Sequence, residues 1–287
     1  MPLRLGSHTF GDEQLLVMAI VNRTPDSFYD QGATYELESA LAAVDRAVDE
    51  GADLVDIGGV RAGPGTPVDA AEEIRRVGGM VEAVRDRHPD LVISVDTWRA
   101  EVGRVVAAAG ADLLNDAWEG VDPDLAAVAA EYGTGLVCTH AGHHSPRTKP
   151  HRVAYPDVTG DVVSTVVGLA ERAAAAGVRP DGIVIDPGHD FGKNTRHSLT
   201  VTRELGRLVE TGWPVLVALS RKDFVGETLD LPAADRLEGT LAATAVSAWL
   251  GARVFRAHDV RATRRVLDMV SSIRGDRQPI APRRGMA

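Results

Sequence analysis

The sequence is poor in cysteine and in aromatic residues. Cys138 is the single cysteine among 287 residues, and aromatic residues make up 5% of the chain. One thiol excludes an intrachain disulfide and any metal site built from several thiolates. It is also typical of a reducing compartment, so we expect a cytoplasmic protein.

Long apolar segments and an excess of positive charge are also absent. The run Leu15–Val21 is shorter than the ~20 residues that span a bilayer, and Met1–Gln14 lacks the apolar core of a signal peptide. The 41 acidic against 31 basic residues give a net charge of −10, which disfavours nucleic acids and anionic membranes as partners. An anionic ligand would therefore need a local basic pocket.

Three motifs of common enzyme classes are missing. The chain has no G-x-G-x-x-G after a first strand, no Walker A sequence and no G-x-S-x-G elbow. Dinucleotide, P-loop and α/β-hydrolase chemistry are therefore disfavoured.

What the chain contains is one repeated unit, a short strand followed by an amphipathic helix, and eight such units can be counted. The strands are rich in Val, Ile and Leu, which is typical of a parallel sheet buried on both faces. We predict strands at Leu15–Asn22, Asp53–Gly59, Leu91–Thr97, Asp112–Ala117, Gly135–His140, Gly182–Gly188, Pro214–Ser220 and Arg253–Asp259. The predicted helices include Glu36–Glu50, Val68–Arg87, Arg99–Ala109 and Thr159–Ala176. Gly51, Gly110 and Gly251 are expected to end helices in the left-handed conformation.

Eight alternating units predict the α/β class and a (β/α)8 TIM barrel, with an open doubly wound sheet as the alternative. The length leaves one or two domains open, and no linker divides the chain. We expect a single domain over residues 1–275 and a loose tail over residues 276–287.

Polar residues are concentrated at the carboxyl ends of the predicted strands, which form the active face of a barrel. Singly, each could be a helix cap or a buried residue satisfied by a neighbouring loop. Together they predict a site for a flat polar heterocycle and an anion. They are Asn22, Asp56, Asp96, Thr97, Asn115, Asp116, His140, Asp186, Ser220, Arg221, Lys222, Arg256, His258 and Asp259.

Four histidines lie close together after the fifth strand. Their stretch contains two prolines and no cysteine, so we expect solvent-exposed side chains rather than a zinc site. They are His140, His143, His144 and His151.

From about Leu15 to Asp268 the motifs resemble those of the dihydropteroate synthase family. The order and spacing of the motifs carry the resemblance. They are Asn22–Asp30 (NRTPDSFYD), Asp56–Gly65 (DIGGVRAGPG), Ser94–Thr97 (SVDT), Asn115-Asp116, Asp186–Gly188 (DPG) with Phe191–Lys193 (FGK), Ser220–Lys222 (SRK) with Phe224 and Gly226, and Arg256 with His258–Val260 (HDV).

The resemblance implies the condensation of 6-hydroxymethyl-7,8-dihydropterin diphosphate with p-aminobenzoate, releasing pyrophosphate. Asp186 would accept two N–H groups of the pterin, and Asp96 and Asn115 would bind the rest of its polar edge. Lys222 would meet the acceptor side of the ring, and the Arg256 guanidinium would stack on its face.

The resemblance also implies a leaving-group site and a metal ion. Arg256, His258 and Asn22 would face the diphosphate, with Asn22 also a ligand of Mg²⁺. The cationic side chains and Mg²⁺ would stabilise the departing pyrophosphate. No protein nucleophile is implied, so Cys138 is expected to be a packed core thiol.

The second-substrate region departs from the family pattern. Arg61 stands two positions before the arginine of the family's ESTRPG segment, and Arg23 follows Asn22 where the family has a small apolar residue. Asp223 replaces the family serine beside the expected p-aminobenzoate carboxylate, while Phe191 is retained. As a helix N-cap, aspartate would preserve the fold, but its charge would oppose a second carboxylate by about 4 kcal/mol at ~4 Å and an effective dielectric of ~20. Asp190 and the stretch His143–His151 are further departures.

These departures predict a diverged dihydropteroate synthase paralogue that binds the pterin diphosphate with weak or lost condensation. The alternatives are a fully active synthase, in which Arg61 or Arg23 replaces the lost groups, and a non-catalytic pterin-binding regulatory module. A methyltransferase acting on methyltetrahydrofolate is disfavoured, since nothing in the chain forms a corrinoid partner domain. The small, apolar segment Leu241–Leu250 is consistent with the homodimer that the resemblance implies, and equally with a buried barrel helix.

Overall fold

A computed structural model describes residues 1–23, 36–148 and 154–284. Its strands are β1 (Leu3–Leu5), β2 (His8–Phe10), β3 (Leu16–Asn22), β4 (Leu54–Gly58), β5 (Val92–Asp96), β6 (Leu113–Asp116), β7 (Gly135–Thr139), β8 (Ile183–Asp186), β9 (Leu216–Val217) and β10 (Val254–Ala257). Its helices are α1 (Leu37–Asp49), α2 (Ala70–Arg87), α3 (Ala100–Ala108), α4 (Asp124–Tyr132), α5 (Val158–Ala175), α6 (Thr195–Arg203), α7 (Gly206–Val209), α8 (Asp223–Leu229), α9 (Leu237–Trp249) and α10 (Val260–Arg274).

The eight strands β3 to β10 form one parallel sheet that closes on itself. The strand order is β8-β7-β6-β5-β4-β3-β10-β9, and a parallel bridge between Ile185 and Val215 joins the two ends. Helices follow the strands and cover the outside. The predicted (β/α)8 barrel is therefore confirmed, and the open doubly wound alternative is wrong.

The predicted strands and helices lie where the sequence places them. The four helices named from periodicity are displaced by at most two residues at either end. Gly51, Gly110 and Gly251 follow α1, α3 and α9 with φ of +93°, +106° and +107°, as expected of left-handed caps. The seventh strand is shorter than predicted, because β9 pairs with β10 only at Leu216 and Val217.

Side chains alternate along each strand between the inside of the barrel and the helices. In β4, Leu54 packs in the inner cluster, whereas Val55 and Ile57 pack in the outer one. The inner cluster is completed by Leu3 and Leu5 of the β1–β2 hairpin, which the sequence analysis did not predict. This apolar interior leaves polar inward positions to the carboxyl ends of the strands.

The environment of Cys138 and the character of the helices bear on two predictions from the sequence. Cys138 is 3% exposed and packs in the outer cluster, as expected of a core thiol. The described helices include none with the length and hydropathy of a membrane span. Residues 24–30 of the first-loop motif lie outside the described residues, as does His151.

Candidate active site

A cavity of about 300 Å³ opens at the carboxyl ends of the barrel strands. Five of the strand-end residues named from the sequence are not among its lining residues: Asp56, Thr97, Asp116, His140 and Asp259. Every residue to which the resemblance gave a part in catalysis, substrate binding or metal binding does line this cavity. They are Asn22, Arg61, Asp96, Asn115, Asp186, Phe191, Lys222, Asp223, Arg256 and His258. Their roles remain predictions, but the structure brings them to one place.

A carboxylate to which the sequence analysis gave no individual role holds the base of this cavity together. Asp56 is fully buried and accepts hydrogen bonds from Ser94 Oγ (2.6 Å), Arg256 Nε (2.6 Å) and Asn115 Nδ2 (3.2 Å). Two residues assigned to the pterin are thus oriented by a third. The inward orientation of Asp56 could be predicted from the sequence, because Asp56 lies two positions after Leu54 and therefore on the same face of the strand.

Asp96 lies on the other side of Arg256. Arg256 Nη2 donates to Asp96 Oδ2 at 3.2 Å, so the guanidinium is held between two carboxylates. Burial raises the pKa of Asp96 to about 7, and the neighbouring Asp56 adds to the rise while Arg256 opposes it. Near neutral pH this carboxyl can therefore either donate or accept a hydrogen bond.

Asp186 and Lys222 also line the cavity. Asp186 is buried and accepts a hydrogen bond from the Gly188 N–H at 2.7 Å. Burial raises its pKa, and Lys222 is the strongest opposing influence. Lys222 Nζ donates to the His189 carbonyl at 2.5 Å and lies 5.0 Å from the centre of the Phe191 ring. The cavity therefore contains an ammonium donor beside an apolar ring, and this ammonium also favours the ionised form of Asp186.

The expectation of solvent-exposed histidines is wrong for His140, which is completely buried. Lys193 Nζ donates to His140 Nδ1 at 2.6 Å and to the Gly188 carbonyl at 3.0 Å, and the other ring nitrogen of His140 lies 2.9 Å from Asp161 Oδ2. Burial and the adjacent ammonium lower the pKa of His140, and burial lowers that of Lys193 to about 7. His140 is therefore a neutral link between an amine and a carboxylate.

His143 is 72% exposed, as expected, and makes an ion pair with Glu119. Across the described residues, no three His, Cys, Asp or Glu side chains are grouped as metal ligands. Asn22 Oδ1 lies where a β-carbon on Gly58 would come within 2.8 Å, so the glycine makes room for this oxygen. One amide oxygen fits Mg²⁺ only together with diphosphate oxygens, which is how Mg²⁺ is often held at phosphate sites.

His258 is a neutral residue rather than a cation. Its Nδ1 lies 2.9 Å from Ser220 Oγ. Burial, together with the neighbouring Arg256, lowers the pKa of His258 to about 4. At neutral pH it can contribute a hydrogen bond to a diphosphate, while the positive charge comes from Arg256.

Two arginines of the first loops have defined surroundings. Arg23 Nη1 donates to the Arg76 carbonyl of α2 at 2.6 Å, so its side chain does not simply point to water. Arg61 lies on the cavity wall with Ala62 and Gly63. Arg147 contacts the same loop by donating to the Thr66 carbonyl at 2.6 Å.

The prediction that Asp223 caps a helix is wrong. The cap position is held by Lys222, and Asp223 is the first residue of α8. Its side chain is 72% exposed and pairs with Arg236 Nη1 at 2.9 Å. Because solvent and a guanidinium both screen this charge, its repulsion toward a bound carboxylate is much smaller than the value for an effective dielectric of ~20.

Comparisons with known proteins agree with this geometry. Residues 18–258 match the family model described as pterin binding enzyme. A protein of Mycobacterium leprae (strain TN) named "Inactive dihydropteroate synthase 2" is 58% identical over 279 residues, covering 96% of both chains. The dihydropteroate synthase of Bacillus subtilis (strain 168) is 37% identical over 263 residues, covering 91% of this chain and 89% of that one. The Yersinia pestis dihydropteroate synthase, solved in a complex with a sulfonamide drug, superimposes with a TM-score of 0.90 at 35% identity, covering 96% of this chain and 100% of that one.

Proposed function

The chain belongs to the pterin-binding enzyme family, and we propose that it is a dihydropteroate synthase-like protein that binds 6-hydroxymethyl-7,8-dihydropterin diphosphate but condenses it with p-aminobenzoate weakly or not at all. One observation carries the proposal. The pterin-binding half of the cavity is complete and internally hydrogen-bonded, whereas the half expected to receive the second substrate carries altered charges. The name of the Mycobacterium leprae relative supports the same conclusion.

Recognition of the pterin depends on the buried polar groups. Asp186 would accept two N–H groups of the ring, with Lys222 and the Gly188 N–H favouring its ionised form. Asn115, oriented by Asp56, would bind a further edge. The Arg256 guanidinium, held by two carboxylates, is fixed in orientation and would stack on the ring face.

The condensation would replace one bond at the pterin methylene carbon. The aromatic amine forms a C–N bond as the C–O bond to the diphosphate breaks, and the amine then loses a proton. Arg256 and the neutral His258 would stabilise the charge on the leaving group, and Asn22 would help to hold Mg²⁺. When bound, Mg²⁺ would neutralise diphosphate charge. The protein supplies orientation and electrostatics rather than a nucleophile.

A direct assay tests the proposal. Purified protein is incubated with Mg²⁺, the pterin diphosphate and p-aminobenzoate, with an active synthase such as that of Bacillus subtilis as the control. We expect calorimetric binding of the pterin diphosphate and little or no dihydropteroate. Turnover close to that of the control would support the fully active alternative instead, and absence of pterin binding would contradict the proposal altogether.

We also propose that the protein is a cytoplasmic homodimer with one domain over residues 1–275. The outer faces of α9 and α10 carry exposed apolar side chains: Val246, Trp249, Met269 and Ile273 are 50% to 60% exposed. The two helix ends are held together, since Arg274 Nη1 donates to the Ala248 carbonyl at 3.1 Å. A second copy would cover this apolar surface.

A further inference from the structure

Asp190 is a carboxylate fixed on the cavity wall in a backbone conformation that favours glycine. Gly188, Asp190 and Gly192 all have left-handed φ, of +63°, +66° and +59°, and the middle residue is the one with a side chain. Aspartate tolerates this region better than most residues, but the conformation is strained. A strained residue persists only where its surroundings hold it.

Two hydrogen bonds hold the Asp190 carboxylate in place. Ser198 Oγ donates to Oδ1 at 3.0 Å, and the Phe224 N–H donates to Oδ2 at 3.2 Å. The side chain is thereby anchored to both α6 and α8. Its charge consequently has a fixed position in the cavity rather than a mobile one in solvent.

Asp190 and Lys222 line the same cavity, and the charge of each shifts the pKa of the other. Burial raises the pKa of Asp190, and the Lys222 ammonium is the largest influence that lowers it. For Lys222, Asp190 favours the charged form more strongly than Asp186 does. The positive charge of Lys222 is therefore matched by a carboxylate of the chain itself and is less available to a ligand carboxylate.

Asp223 contributes less, although it lines the same cavity. Its exposed side chain pairs with Arg236, as described above. Asp190 pairs with no guanidinium in the described hydrogen bonds and is anchored by uncharged donors. The sign of the potential at this wall is consequently set by Asp190 more than by Asp223.

We propose that Asp190 determines the specificity of the second-ligand region, so that it accepts aromatic amines whose far end is neutral or cationic and rejects aromatic carboxylates. This inference rests on the proposed function, because the second ligand must bind next to the pterin. It identifies the class of second ligand as an uncharged or positively charged arylamine.

Three probes of nearly equal shape isolate the charge. 4-Aminobenzoate, 4-aminobenzamide and 4-aminobenzamidine share the ring and the attacking amine, and they carry charges of −1, 0 and +1 at neutral pH. Each is titrated calorimetrically into protein saturated with 6-hydroxymethylpterin, whose free hydroxyl is a poor leaving group, so no condensation interferes. We expect the wild-type protein to bind the amide and the amidine at least about tenfold more tightly than the benzoate.

Asp190→Asn removes the charge while keeping the shape and a residue type that tolerates positive φ. It should tighten benzoate binding by about tenfold and leave amide binding within about threefold of wild type. Asp190→Gly also suits this backbone and replaces the asparagine variant if that one fails to fold. Asp230→Asn is the matched control, because Asp230 also has a left-handed φ, of +55°, and is an exposed residue that follows the end of α8.

An unchanged ratio of benzoate to amide affinity in both Asp190 variants would overturn the inference while leaving the proposed function intact. An equal shift in Asp230→Asn would overturn it too, since a general change in net charge would then explain the result. Failure of the wild-type protein to bind the pterin would overturn the proposed function, and this inference with it.

Discussion

The buried carboxylate Asp56 should be the residue on which both the candidate site and the stability of the barrel depend. It is fully buried and accepts hydrogen bonds from Ser94, Asn115 and Arg256. Asp56→Asn keeps the volume but removes the charge, and it turns an amide donor toward other donors. Arg256, which is only 17% exposed, would lose one of its two carboxylate partners.

The loss of stability expected for Asp56→Asn depends on the carboxylate partner that Arg256 keeps. Breaking a buried ion pair by changing one partner costs about 3–5 kcal/mol when the other charge is left uncompensated. Here Asp96 stays 3.2 Å from Arg256, so the loss should lie near the lower limit, at about 3 kcal/mol. For a domain of this size that corresponds to a fall in Tm of roughly 6–12 °C.

The matched control is Asp53→Asn, immediately before the same strand. Asp53 accepts the Val17 N–H at 2.7 Å and pairs with Arg264 at 3.1 Å, but its side chain is 30% exposed. Asparagine can still accept the backbone hydrogen bond there, so we expect a loss of about 1 kcal/mol. Urea unfolding followed by tryptophan fluorescence measures both variants, and calorimetry measures the pterin affinity of each.

Asp56→Asn should also weaken pterin binding by about tenfold or more, because Asn115 and Arg256 lose their common acceptor. Asp53→Asn should leave that affinity unchanged. If the two variants lose similar stability, or if Asp56→Asn binds the pterin as well as wild type does, the assignment of Asp56 as the organising residue is wrong.

Three further predictions concern titration and assembly. The folded-state pKa of Asp96 is raised to about 7, whereas an unfolded aspartate has a pKa near 4. Between pH ~4 and ~7 the folded protein therefore binds a proton that the unfolded chain has released. The free energy of unfolding should fall over this range as the pH rises. Asp96→Asn should remove that slope in urea unfolding. Lys193 should have the opposite effect on the pH dependence of stability. Because its folded-state pKa is lowered to about 7, the free energy of unfolding should rise between pH ~7 and ~10. The variant Lys193→Met should flatten this rise. Trp249→Glu places a charge on a side chain that is 59% exposed on α9 and should convert a dimer to a 30.5 kDa monomer in light scattering, whereas Ile280→Glu, at 84% exposure, should not.

The fold was predictable because apolar runs and helical periodicity repeat along the chain. Leu54 and Val55 lie on opposite faces of a strand, yet both are buried. A strand sequence of consecutive Val, Ile and Leu residues, without alternating polar ones, indicates this burial of both faces. The β1–β2 hairpin escaped prediction because its strands have only three residues each. Its role becomes apparent only when Leu3 and Leu5 are seen in the inner cluster.

The location of the site was predictable, whereas its internal pairings were not. Strand ends converge in any barrel, so Asn115, Asp186 and Arg256 could be placed together from their positions alone. Contacts such as Lys193 with His140 join residues 53 positions apart and depend on how two loops turn. Asp223 was predicted to be a helix cap because its partner could not be seen in the sequence. That partner, Arg236, follows a separate turn of the chain.

The two halves of the cavity differ in how far their residues are tied to the barrel. Asp56 links Arg256 and Asn115, which come from different strands, so a change there should cost stability as well as affinity for the proposed pterin ligand. Asp190 and Asp223 lie outside the strands, and the hydrogen bonds of their side chains join them to Ser198 of α6, Phe224 of α8 and the turn residue Arg236. Substitutions at these two positions should therefore change the proposed second-ligand region with little effect on folding. The proposed retention of pterin binding with weak or lost condensation therefore agrees with the positions of Asp190 and Asp223, which line the cavity but lie outside the barrel strands.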